Sequence, residues 1–306
     1  MPLLQRGPKT LLITTGVFLF IGVLVVVATA QVMLFALFVP VLYAVFSDQV
    51  HRWFTYFLAA AIPVTFAVAP GFIEGVVLYA SLIASGSLIR RFLNSRNAGM
   101  AVFVPSCLVF FLFVLSVGIT AIQEGILFQA VVSRWVGEVM NQVALVYNQI
   151  LPPGELAEFR VSRAAMENRI TQLFWGIIAS SVMSVMWLNV LIAAQVLKTV
   201  KLRHWKCPDW MVGFFIAAGI FILVNYDVIR ILGFNLMIVV SQIYFFQGLA
   251  IVTAFLTGYN WSKVVRWVVY ILIFSQIYIM IAVTALGLFD TWFNFRNRIR
   301  SSEGER

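Results

Sequence analysis

Over most of this chain apolar residues do not alternate with polar ones but run together, in blocks at about 11–30, 31–46, 53–69, 72–89, 100–121, 173–197, 211–232, 234–256 and 264–288. A helix crossing a bilayer needs roughly 20 apolar residues, and in hydrocarbon the backbone must satisfy its own hydrogen bonds. Each block therefore predicts a helix. A membrane barrel would instead alternate apolar and polar residues in strands of about ten, whereas Val109–Val117 and Ile271–Ile281 do not alternate. The expected architecture is an all-α, polytopic transmembrane helical bundle of about nine apolar segments making eight or nine crossings. Gln31 and Pro70-Gly71 divide neighbouring blocks and predict tight hairpins, and Gly233 alone divides the seventh block from the eighth. Pro40 and Pro63 predict kinks, because proline lacks a backbone N–H and clashes with the preceding turn.

The long connection, 122–172, carries a different period. Phe128, Val132, Trp135, Val139, Val143, Val146 and Ile150 recur at helical spacing, while Gln129, Ser133, Glu138, Asn141 and Gln142 fall mostly on the other side. That pattern predicts an amphipathic helix, ended by Pro152-Pro153-Gly154. Residues 155–172 then form a charged helical stretch running straight into the sixth block. The chain divides as one membrane domain, 1–306, made of N-terminal helices 1–121, the insert 122–172 and C-terminal helices 173–298. The insert is expected outside the cytoplasm, resting on the membrane or capping the bundle, with partner binding as the alternative.

Composition agrees with lipid as solvent: 62% of the 306 residues are hydrophobic and 11% charged, against about a quarter charged in soluble domains. Mean hydropathy is +0.98. A net charge of +9 would suggest nucleic acid for a soluble protein. Here Lys and Arg sit at the ends of apolar blocks, where they set orientation and meet anionic headgroups, so the expected partner is the bilayer and no nucleic acid is expected. With the N-terminus cytoplasmic and all nine blocks crossing, most basic residues lie inside, but Arg230 and the tail Arg296, Arg298, Arg300 and Arg306 are left outside. If the seventh block dips in and returns, those residues move inside; the inward bias strengthens, and this course is the one expected. Arg6, Lys9, the run Leu11–Val27 and Ala28-Thr29-Ala30 imitate a secretory signal. The apolar core is overlong and another apolar block follows, so a retained first helix is expected. Cys107 and Cys207 are far apart and His51 and His204 isolated, which predicts neither a disulfide framework nor a metal or cofactor site.

Ionisable or amide side chains inside apolar blocks are candidate sites because they are costly there. Asn235, Gln242 and Gln247 in the eighth block, with Asn189 and Gln195 from the sixth and Gln276 from the ninth, form either helix-to-helix glue or a polar pocket. Asp227 and Arg230, three apart on one helix face, form a candidate ion pair, structural or ligand-binding. Glu74, one turn past Pro70-Gly71, reads as interfacial, and Gly71/Gly75 and Ser81/Ser85 have the spacing of close helix packing. Asp290 lies among Trp292, Phe293, Arg296 and Arg298 and reads as part of a headgroup anchor.

Several C-terminal stretches carry a resemblance. They are Asn189-Val-Leu-Ile, Lys206-Cys-Pro-Asp-Trp210, Gly233-Phe-Asn-Leu-Met237, Ile243-Tyr-Phe-Phe-Gln-Gly-Leu-Ala-Ile-Val252 and Leu286-Gly-Leu-Phe-Asp-Thr-Trp-Phe-Asn-Phe-Arg296. In order and spacing they resemble the YybS-like family of bacterial inner-membrane proteins, over about 173–298. The resemblance implies a multi-helix bundle in the bacterial cytoplasmic membrane and carries no established activity. The expected function is a non-enzymatic scaffold or partner subunit, with a membrane protein as candidate partner. The alternative is a transporter component binding a small-molecule ligand and resembling the substrate-binding subunits of energy-coupling factor transporters. That alternative requires a separate energy source, since no G-x-x-x-x-G-K-[ST] loop occurs. An enzyme is not expected: H-E-x-x-H, G-x-S-x-G and paired acidic motifs are all missing.

Overall fold

The structure, a computed structural model, describes residues 39–45, 72–150, 152–200, 205–259, 261–293 and 295. The blocks expected at 11–30 and 53–69, the Pro63 kink, the hairpins at Gln31 and Pro70-Gly71, the side chain of Glu74 and the basic tail lie outside the described residues. Every regular element among the described residues is an α-helix. After a helical piece at 39–45 come α1 (Phe72–Asn94), α2 (Ala98–Glu124), α3 (Phe128–Ile150), α4 (Pro153–Leu197), α5 (Met211–Leu223), α6 (Asp227–Gly258), α7 (Lys263–Ser275) and α8 (Ile277–Phe293).

Three of these are long and apolar enough to cross a membrane: α2, the Leu156–Leu197 part of α4, and α6. The pair α7 and α8 makes a fourth span only as a broken one, bent by 104°. The described residues thus contain three such spans, or four with the bent pair. Two boundaries differ from the sequence expectation. The seventh and eighth blocks are divided at 224–226, where Val224 and Tyr226 are extended, and α6 runs unbroken through Gly233. Gly233 is a packing site rather than a turn, since a Cβ there would lie 2.8 Å from the Phe221 Cβ and from the Ile222 backbone nitrogen. The ninth block is likewise two helices, parted at Gln276, whose carbonyl accepts from Ile279 and Met280 and so starts α8.

The described residues form two compact units, one of those up to 112 with 185–200, the other of 113–184 with those from 205 onward. In the first, the Ser81/Ser85 face of α1 is buried, and at Gly86 a Cβ would lie 2.7 Å from the Pro40 carbonyl oxygen, so helix 39–45 and α1 touch backbone to backbone. Arg90 donates to the Ala44 carbonyl at 2.7 Å, satisfying an acceptor at the end of 39–45.

In the second unit, the apolar stripe of α3 finds its cover. Val131, Val132, Val136 and Met140 are buried with Val117 and Ala121 of α2 and Phe159 of α4. Phe128 stacks on Trp175 with ring centroids 5.2 Å apart, and Tyr147 meets Phe159 edge-on at 4.8 Å. These pairs make α3 and the first half of α4 an antiparallel hairpin. The chain enters it at Gly125, whose φ of +64° suits glycine, and Arg134 grips Glu124 across that turn through two bonds of 2.6 and 3.0 Å.

Contacts also fix the direction of the later helices. Gly176 meets Asn235 and Ser180 meets Gln242, so α4 and α6 run parallel. Gly233 meets Ala218, Gly219 meets Met237 and Phe215 meets Tyr244, so α5 runs antiparallel to α6. The break at 224–226 consequently lies at the end of α6 near Asn168, Arg169 and Gln172 of α4.

Candidate functional site

The amides of α6 are held by protein. Asn235 Oδ1 accepts from the Gly176 N–H at 2.6 Å, and its Nδ2 donates to the carbonyls of Gln172 and Ile231, both at 2.8 Å. Gln172 C=O and Gly176 N–H are the two groups that pair with each other along an ideal helix. The Asn235 amide therefore bonds to both members of one backbone pair of α4, which stays helical through 172–176. Glycine at 176 permits this, because a Cβ would stand 2.9 Å from Asn235 backbone atoms. One to two turns on, Ser180 Oγ donates to Gln242 Oε1 at 3.3 Å.

Gln247 is fully buried and joins three parts of the chain. Its Oε1 accepts from the Cys207 N–H at 3.0 Å, and its Nε2 donates to Asp290 Oδ2 at 3.2 Å. Residues 205–208 are not helical and Pro208 holds Cys207 in the extended region, so the Cys207 N–H is available to a side-chain acceptor. Asp290 completes the knot by accepting from the Phe295 N–H at 2.9 Å. The anchoring role expected for Asp290 is corrected here, for it is 1% exposed and points into the bundle. The fully buried Tyr244 hydroxyl faces Thr291 without a well-formed hydrogen bond. The Cys207 thiol is buried beside this knot.

Two glycines let α6 and α8 approach closely enough for this knot. A Cβ on Gly248 would lie 2.0 Å from the Val283 carbonyl oxygen, and one on Gly287 would lie 1.9 Å from that of Tyr244. The sequence stretches around Cys207, Gln247-Gly248 and Gly287–Asp290 thus converge in space, although they are far apart in the chain.

Of the remaining candidates, Asn189 lies in the first unit, fully buried, accepting from the Val41 N–H and donating to the Val185 carbonyl, both at 2.9 Å. Gln195 is exposed on α4, and Gln276 is exposed at the α7–α8 bend. Asp227 and Arg230 do form an ion pair. They line an open cleft of about 510 Å³ with Asn168, Arg169, Gln172, Ile231 and Phe234. Sequence reasoning missed the α4 side of this cleft. The available signal was Arg169 placed one turn before the apolar run beginning at Leu173.

Long apolar helices tied together by buried amides and glycine contacts define an α-helical integral membrane protein. The chain matches the family model described as predicted membrane protein (DUF2232) over residues 11–291 and belongs to that family. No curated protein and no solved structure matches it.

Proposed function

We propose that this protein is a non-enzymatic scaffold or partner subunit of the bacterial cytoplasmic membrane, N-terminus inside, of the YybS-like kind. The α3–α4 hairpin carries this reading. The polar first half of α4 extends the helix by about 30 Å beyond its apolar part, and α3 packs along it, giving a rigid body raised from the bilayer. Val139, Leu145 and Val146 of α3 remain exposed there, as does Val161 of α4, and apolar groups on a polar projection suit a protein partner. The amides of α6 engaged with other helices fit a structural role for the bundle.

Affinity purification in mild detergent, followed by mass spectrometry of proteins and small molecules, tests the reading. A stoichiometric membrane partner is expected, lost on the double substitution V139E/V146E. Purification of the chain alone, at native abundance and crosslinked to nothing in cells, would defeat it. The transporter-component reading draws support from the cleft at Arg169 and Arg230 and predicts instead a bound small molecule together with an ATP-hydrolysing partner.

A further inference from the structure

We infer that the cleft between α4 and α6 binds a phosphate group, and its setting fits best the headgroup of an anionic phospholipid. The inference stands apart from the scaffold reading, because it rests on the cleft alone. Two guanidinium groups, Arg169 and Arg230, face one carboxylate, Asp227, among the lining side chains. Asp227 is already paired with Arg230, while Arg169 has no ion-pair or hydrogen-bond partner among the described residues. The cleft also takes in the first turn of α6, a positive dipole end that attracts anions and already carries Asp227. Asn168 and Gln172 add side-chain amides, Gln172 Nε2 donating to Asn168 Oδ1 at 3.5 Å. An uncompensated arginine, a second arginine and a helix N-terminus around one cavity are chemistry for a phosphate, which guanidinium groups bind bidentately.

The other wall is apolar, made by Ile231 and Phe234. The cleft also lies at the height on α4 where charged residues give way to Leu173, Phe174 and Trp175. That is the level at which aromatic residues meet headgroups. A phosphate held by the arginines would then leave an acyl chain to run along Ile231 and Phe234, a fit that a free phosphate ester would leave unused. Basic pockets between membrane helices take anionic headgroups by this arrangement.

The test uses the full-length protein purified in detergent. Native mass spectrometry is run with added dioleoylphosphatidylglycerol or dioleoylphosphatidylcholine, and a parallel titration uses glycerol 3-phosphate. The variants are R169Q, which removes no contact within the described structure, and R169Q/R230Q; thermal midpoints establish that each is folded. Preferential retention of phosphatidylglycerol, reduced roughly tenfold in R169Q as expected for loss of a charge-assisted bond, supports the site with a lipid source. Glycerol 3-phosphate binding with the same dependence on Arg169 supports the site with a soluble source. Equal retention of both lipids, or phosphatidylglycerol retention unchanged in the folded double variant with no glycerol 3-phosphate binding, overturns it.

Discussion

Among the buried amides, the effect of a substitution depends on what each leaves behind. Gln247→Leu would strand the Cys207 N–H and remove a donor from buried Asp290, and an orphaned buried polar group costs about 1–3 kcal/mol. Asn235→Leu removes the side-chain bonds to Gln172 C=O and Gly176 N–H, but these two groups are each other's partners along an α-helix. Its cost, and that of Gln242→Leu, should stay near the ~0.6 kcal/mol average for side-chain bonds between membrane helices. Thermal unfolding in detergent should therefore rank Gln247→Leu well below the other two; equal midpoints would show that the knot is not the stronger tie. Gly287→Ala should be worse still, beyond the ~1–3 kcal/mol of ordinary overpacking, because its new methyl meets a backbone oxygen at 1.9 Å. In a Cys107→Ser background Cys207 should resist maleimide until the protein unfolds, since the residue is buried. Fast labelling of the folded protein would mean that the segment before α5 opens.

Helix α3 is the element whose behaviour the apolar period describes best, yet the period does not say which of its apolar residues are covered. Val132 is fully buried and Val139 is 62% exposed, although both belong to the same stripe. Val132→Asp should open the hairpin, at a cost of several kcal/mol for an unpaired buried charge, and expose the 151–154 connection to protease. Val139→Asp should leave proteolysis unchanged. The remaining helices show where hydropathy misleads about boundaries. Apolar residues continue on both sides of the breaks at 224–226 and Gln276, so a hydropathy window runs across them, and the one glycine that looked like a break, Gly233, is a contact.

At the scale of the molecule, direction is the main result. Parallel α4 and α6 follow one another in sequence, so the chain between them must travel back from one end of the pair to the other. Residues 205–223 make that return, with α5 alone covering about 20 Å. The dip-and-return course expected for the seventh block puts Arg230 on the side opposite the insert, whereas the cleft seats Arg230 beside Arg169 at the root of the hairpin. Cysteines introduced at Gln142 and at Tyr226 should accordingly react with a membrane-impermeant thiol reagent from the same side, and one at Lys263 from the other. Labelling of Tyr226→Cys and Gln142→Cys from opposite sides would exclude this arrangement.

Hydropathy is a local property, and by itself it determined the class of the protein, the all-helical architecture and the amphipathic α3 ending before a second helix that runs on into an apolar span. The type of residue at issue was legible too: Asn189, Asn235, Gln242, Gln247 and the Asp227–Arg230 pair stood out because amides and charges are scarce in such runs. Their partners were not legible, since Gln247 meets Cys207 and Asp290 at separations of 40 and 43 residues. Such meetings depend on how closely two helix backbones approach, which Gly176, Gly233, Gly248 and Gly287 decide only once their neighbours are in place. Tertiary structure alone therefore turned Asp290 from a surface anchor into a buried acceptor, and joined Arg169 to Arg230 around one cleft.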